Sequence, residues 1–150
     1  MAYALQNFFK TIYPGKYTLK KEFKILIADK NSNVRDFLKR EMTAEGYIVK
    51  LAENGREVLK WAYHADPVDI LILDPDLPDA EESLLLKKLN LKTPYIPVIL
   101  HTFFSDYIAI SRIFDPTVFI EKGGNSIEQL KKVIAGILNK TSGADIKKGN

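Results

Sequence analysis

Cysteine is absent from the sequence, and histidine occurs only twice, at His64 and His101. Without thiols there are no disulfides and no thiolate metal sites, and two histidines do not make a histidine-rich one. Any chemistry must come from carboxylates, hydroxyls and lysines. No apolar run approaches the roughly 18 residues that a membrane span needs, and no charged, apolar and small-residue succession marks a signal peptide, so a cytoplasmic location is the expectation. Neither GxGxxG nor GxxxxGK[ST] occurs, which leaves a nucleotide-binding role without support. There is no arginine-rich run and no signature of a base-reading fold, and nucleic acid is not an expected partner. Net charge is low but unevenly placed. Residues 1–22 carry +3 and residues 139–150 carry +2, which leaves −2 for the body of the chain.

What is present is an alternation. The runs FKILIAD, YIVKLA, VDILILD, IPVILHT and TVFIEK read as strands, and three of them are apolar without a polar alternate, the habit of a parallel sheet covered on both faces. Between them lie helical patterns. NSNVRDFLKREMTAEG places Val34, Phe37, Leu38 and Met42 at helical spacing, with capping residues at Asn31 to Asn33 and Gly46 at the C-terminal cap. NGREVLKWAYHAD turns Val58, Leu59 and Ala62 inward. AEESLLLKKLN, beyond Pro78, is helical in composition, and SDYIAISRIF and NSIEQLKKVIAGILNK follow. Trp61 and Tyr63 read as packing groups and His101 as a core or rim histidine. Five strands alternating with five helices predict a doubly wound parallel α/β domain.

In such a sheet ligands collect at the carboxyl ends of the strands. Those ends carry Asp29 and Lys30, Asp74, Thr102 and Lys122. Two carboxylates, a hydroxyl and an ammonium on one rim suit phosphoryl transfer to a side chain, with Asp74 as nucleophile, Thr102 and Lys122 on the phosphoryl oxygens and Asp29 toward a hard cation.

From Phe23 to about Leu138 the sequence resembles the receiver domain of two-component response regulators, through KILIADKNSNVRDFL, GYIVKLAENGREVL, DILILDPDLPD, PVILHT and VFIEKGGNSIEQLKKVI. The resemblance implies a flavodoxin-like sheet of strand order 2-1-3-4-5. It divides the chain into an N-terminal extension (1–22), a receiver domain (23–139) and a basic tail (140–150), with Ser142 to Asn150 frayed. By the same resemblance Asp74 is the phosphoacceptor, Thr102 the switch hydroxyl, Lys122 the paired lysine and Phe119 the aromatic switch. Magnesium would be held by Asp29, Asp74 and the backbone carbonyl of Asp76.

The departures are specific. Lys30 stands where the family has a second acid, and a lysine there weakens magnesium. Phe103 follows Thr102 where a small residue is usual, Gly123 replaces a proline, and Asp115-Pro116 stands where Gly-Ala is common. The expected function is a single-domain response regulator in phosphorelay signalling. Such a protein takes its phosphoryl group from a histidine kinase or phosphotransfer protein and acts by being bound by a downstream target, with homodimers common in the family. It is no conventional enzyme, its chemistry being self-phosphorylation from phosphohistidine and autodephosphorylation. The alternative is a phosphorylation-independent pseudo-receiver in which Lys30 pairs with Asp74. A small hydrolase on this fold would need a general base and a substrate pocket that the sequence does not supply.

Overall fold

The computed structural model describes residues 4, 5, 7, 8 and 22–148, with side chains through Asn139. Most of the N-terminal extension expected over residues 1–22 lies outside that range. The elements are β1 (Lys24–Ala28), α1 (Ser32–Ala44), β2 (Ile48–Ala52), α2 (Gly55–Ala62), β3 (Ile70–Leu73), α3 (Leu85–Asn90), β4 (Val98–Thr102), α4 (Phe104–Ile110), β5 (Val118–Glu121) and α5 (Ser126–Lys148). The five strands form one parallel sheet in the order β2-β1-β3-β4-β5, as expected.

Strand side chains alternate between the two faces of the sheet, so the apolar runs divide into two cores. Ile25, Ile27, Ile70, Ile72 and Ile99 point to the face covered by α1 and α5, where they meet Leu38, Met42, Leu130 and Ile134. Leu26, Ala28, Leu71, Leu73, Val98 and Leu100 point to the other face, toward Val58, Ala62, Leu85 and Leu89. Isoleucine fills one layer and mainly leucine the other. Full burial of each such side chain contributes roughly 2 kcal/mol relative to leaving it in water. Between β1 and β3 the strand order reverses direction, and a crevice at the strand ends follows from that topology.

The helix ends carry the readings that the sequence offered. Asn31 caps α1, its side chain accepting from the backbone N–H groups of Asn33 and Val34. Gly46 takes φ +94° just past the same helix, a conformation that glycine adopts without the Cβ clash other residues meet.

Two elements differ from expectation. Residues 78–84 form turns instead of the first part of a helix, and α3 begins only at Leu85, after Leu84 in the left-handed region at φ 55°. The cause is long-range: Asp79 Oδ1 and Oδ2 accept from the backbone N–H groups of Gly55 and Arg56, capping α2 instead of opening α3. Burial works against the Asp79 charge, but these backbone donors outweigh it and hold its carboxyl below the usual carboxylate range. At the other end, α5 continues to Lys148 where a frayed tail was expected. No proline interrupts residues 126–148, and a nucleated helix gains a hydrogen bond with each residue added.

Gly55 sits under this cap. A Cβ there would lie 2.5 Å from Ser83 Oγ and 3.1 Å from Asp79 Oδ1. Gly55→Ala is expected to lower the unfolding free energy by about 1 kcal/mol in urea titrations, with Ser83→Ala in the same chain recovering most of the loss. Unchanged stability in the single variant would show that the Ser83 hydroxyl rotates away at no cost.

Candidate functional site

The backbone ladder delivers the rim residues in register. Asp29 N–H donates to Ala52 O, Asp74 N–H to Ala28 O and Lys122 N–H to Thr102 O, so each side chain begins where a strand has just ended. Asp29, Asp74 and Thr102 are 2%, 6% and 0% exposed. Lys122 Nζ donates to Asp29 Oδ2 at 2.7 Å and to Asp74 Oδ2 at 2.5 Å. The other Asp74 oxygen, Oδ1, accepts from Thr102 Oγ1 at 3.1 Å and from Asp76 N–H at 2.9 Å. Asp29 Oδ1 accepts from Asn31 N–H, the residue that caps α1, so a helix start orients a site carboxylate. The four rim groups singled out in the sequence therefore meet.

Burial opposes the charge on Lys122, but hydrogen bonds and charge from Asp29 and Asp74 outweigh it and raise its pKa above the usual lysine value. Beside it, His101 is buried and points to the α5 face. Burial first, and the Lys122 charge second, lower the imidazole to about 4. Phe103 places its ring 5.7 Å from Lys122 Nζ and is 56% exposed, a partial cover at the mouth of the site. Phe119 lies on β5 under α4, stacked on Tyr107 with ring centroids 4.2 Å apart.

Residues 25–135 match the response regulator receiver domain. The chain belongs to this family. Among curated relatives, the DNA-binding transcriptional regulator NtrC of Proteus hauseri is 32% identical over 95 residues, covering 63% of this chain and 20% of that protein. Response regulator RR06 of Streptococcus pneumoniae is 34% identical over 91 residues, covering 61% of this chain and 41% of that protein. The match thus spans less than half the length of these relatives. A solved response regulator, TrrA from Thermotoga maritima in complex with Mg(2+)-BeF, superposes with a TM-score of 0.66 at 29% identity, over 77% of this chain and 98% of that one. A response regulator described as putative from Chloroflexus aurantiacus gives a TM-score of 0.68 at 26% identity, over 79% of this chain and 99% of that one.

One expectation for this receiver is corrected. Lys30 does not pair with Asp74. Its Nζ donates to Asp76 Oδ2 at 2.7 Å, at the surface, while Lys122 holds Asp74. Asp76 lies further out on the same loop, and an exposed ion pair avoids the desolvation that a second ammonium inside the pocket would suffer. The hydrogen bond and charge of Asp76 raise the pKa of Lys30.

A magnesium ion fits this donor set poorly. Magnesium wants near-octahedral oxygens and is held through carboxylates. Asp29 and Asp74 are both taken by Lys122, and Lys30 brings a further positive charge to the loop beside them.

Asp106 was not singled out in the sequence. From the first turn of α4 its Oδ2 stands 3.5 Å from Thr102 Oγ1, so a single hydroxyl proton faces two carboxylates, Asp74 and Asp106. Its spacing of four from Thr102 was the available signal, but an acid in a first helical turn is ordinary dipole pairing and does not stand out.

Proposed function

We propose that this receiver domain accepts a phosphoryl group on Asp74 and signals by a change in what its surface binds. The observation that carries the reading is the environment of one carboxylate. Asp74 is nearly buried, with the Lys122 ammonium on one oxygen and the Thr102 hydroxyl and a backbone N–H on the other. A carboxylate held between an ammonium and two hydrogen-bond donors at the rim of the sheet is positioned to act as a nucleophile, and the same donors suit the charge of the incoming phosphoryl oxygens. The donor class would be phosphohistidine on a kinase or phosphotransfer protein. Thr102, drawn toward the new phosphoryl oxygens, would leave Asp106, and the α4 and β5 face bearing Tyr107 and Phe119 would repack. That face is where a downstream partner would sense the change.

The phosphorylation-independent reading draws no support from Lys30, whose ammonium pairs with Asp76 and not with Asp74. Incubation with phosphoramidate or acetyl phosphate, followed by intact-protein mass, tests the proposal. A gain of about 80 Da is expected in the wild-type chain and none in Asp74→Asn. A gain that survives Asp74→Asn would place the acceptor elsewhere.

A further inference from the structure

We propose that the Lys30 ammonium takes the place of a divalent cation, so that Asp74 is phosphorylated without metal. This rests on the reading of Asp74 as the acceptor. Charge supports it first. A carboxylate holding a divalent cation carries one net positive charge, and so does one ammonium. Replacing an acid by Lys30 therefore supplies the charge that acid and metal would have supplied together, and it also removes an oxygen ligand that the metal needs.

Geometry supports it next. Lys30 directly follows Asp29 at the end of β1, and its Nζ is carried by the Asp76 carboxylate, whose own backbone N–H holds Asp74 Oδ1. Lys122 holds Oδ2. Lys122 thus bonds one Asp74 oxygen directly, while Lys30 is held by the side chain of the residue whose backbone N–H bonds the other. The Lys30 and Asp76 side chains are 57% and 54% exposed, and an ion pair this wet exchanges readily. A phosphoryl group, more highly charged than a carboxylate and with three acceptor oxygens, is the stronger partner for Lys30. The Asp106 carboxylate stands 3.5 Å from the same Thr102 hydroxyl that bonds Asp74, and a second cation would offset its repulsion of a phosphoryl group there.

The step balances without a metal. With phosphoramidate, a lone pair of the Asp74 carboxylate forms the new O–P bond. The P–N bond breaks with its electron pair on nitrogen, which leaves as ammonia with the three protons it already bears. The phosphoryl oxygens face Lys122, Lys30 and the Thr102 hydroxyl.

The test is intact-protein mass against time with phosphoramidate, in excess EDTA and in excess magnesium, on the 150-residue chain and its variants, beside calorimetric titration with magnesium chloride. The wild-type chain is expected to gain one phosphoryl group in EDTA at a rate that magnesium does not change, and to give no magnesium-binding heat. Lys30→Ala should slow the gain in EDTA about tenfold or more. Lys30→Asp should bind magnesium and make the gain depend on it. A wild-type gain that requires magnesium overturns the role of Lys30 while Asp74 remains the acceptor, and so does a rate in Lys30→Ala equal to wild type. A gain confined to Lys30→Asp with magnesium shows that Lys30 blocks the chemistry and overturns the proposal. Absence of any gain, in that variant as well, overturns the acceptor reading and this inference with it.

Discussion

Lys122→Met is expected to destabilise the fold by about 3 kcal/mol at neutral pH and by far less at pH 4. The ammonium is the shared partner of two nearly buried carboxylates, at 2.7 Å from Asp29 and 2.5 Å from Asp74. Their Oδ2 atoms contact one nitrogen and so lie within about 5 Å of each other, close enough for strong repulsion once that nitrogen is gone. Methionine keeps most of the stem and its packing, so the loss isolates the charge. In the variant the two facing carboxylates repel each other, and one proton shared between them relieves that repulsion. Lowering the pH through the carboxylate range therefore relieves the variant, and the gap to wild type narrows.

A second substitution separates this from generic damage. Asp74→Asn in the Lys122→Met background removes one of the two repelling charges and should recover a large part of the stability at pH 7. Asp74→Asn alone leaves Lys122 paired with Asp29 and should change stability little. Urea unfolding of the four chains at pH 7 and pH 4 gives the coupling directly. A loss of the same size at both pH values, or no recovery in the double variant, would mean that the ammonium is not what keeps two carboxylates in the pocket. The same Lys122→Met chain should also fail to gain a phosphoryl group, because the cation on the Asp74 oxygen is absent at the transition state.

The legibility of these residues from sequence has a physical basis. ILIL and the ILIA that follows Lys24 are readable because a strand covered on both faces is apolar at successive buried positions, and residues just past such strands lie on the rim. Asp29, Asp74, Thr102 and Lys122 were found that way, and the family resemblance fixed their order around the site. The partner of Lys30 was not readable. Asp74 and Asp76 are two residues apart on one loop, both anionic, and only the difference in burial sends a flexible lysine to the outer one. The late start of α3 was hidden for a related reason. AEESLLLKKLN is helical by local propensity, but Asp79, just before it, is committed to the N-terminus of α2, 24 residues away in sequence. Tertiary demand overrode local preference at that turn, and a single sequence carries no mark of it.

His101 yields the other large effect, a loss of stability on mild acidification of about 2 kcal/mol between pH 7 and pH 5, growing to about 3 near pH 4. The ring is 5% exposed on β4, and its Nε2 has no hydrogen-bond partner among the described residues. Burial first and the Lys122 charge second lower its pKa from 6.5 to about 4, against a smaller opposing effect of Asp29. The fold therefore holds the neutral imidazole. Above the unfolded pKa both states are neutral and stability is full. Below it the unfolded chain takes up a proton that the folded chain refuses, and stability falls until the folded ring titrates as well. Carboxylates titrate over part of the same range, so the quantity to measure is the difference from His101→Leu. That variant also removes the unpartnered nitrogen and should be more stable than wild type at pH 7, by about 1 kcal/mol. The difference between the two chains should widen as pH falls from 7 to 4 and then level off. Parallel pH profiles, or an imidazole proton resonance titrating near 6.5 in the folded chain, would show that the ring reaches solvent and that the buried nitrogen beside Lys122 is not the acid-sensitive element of the fold.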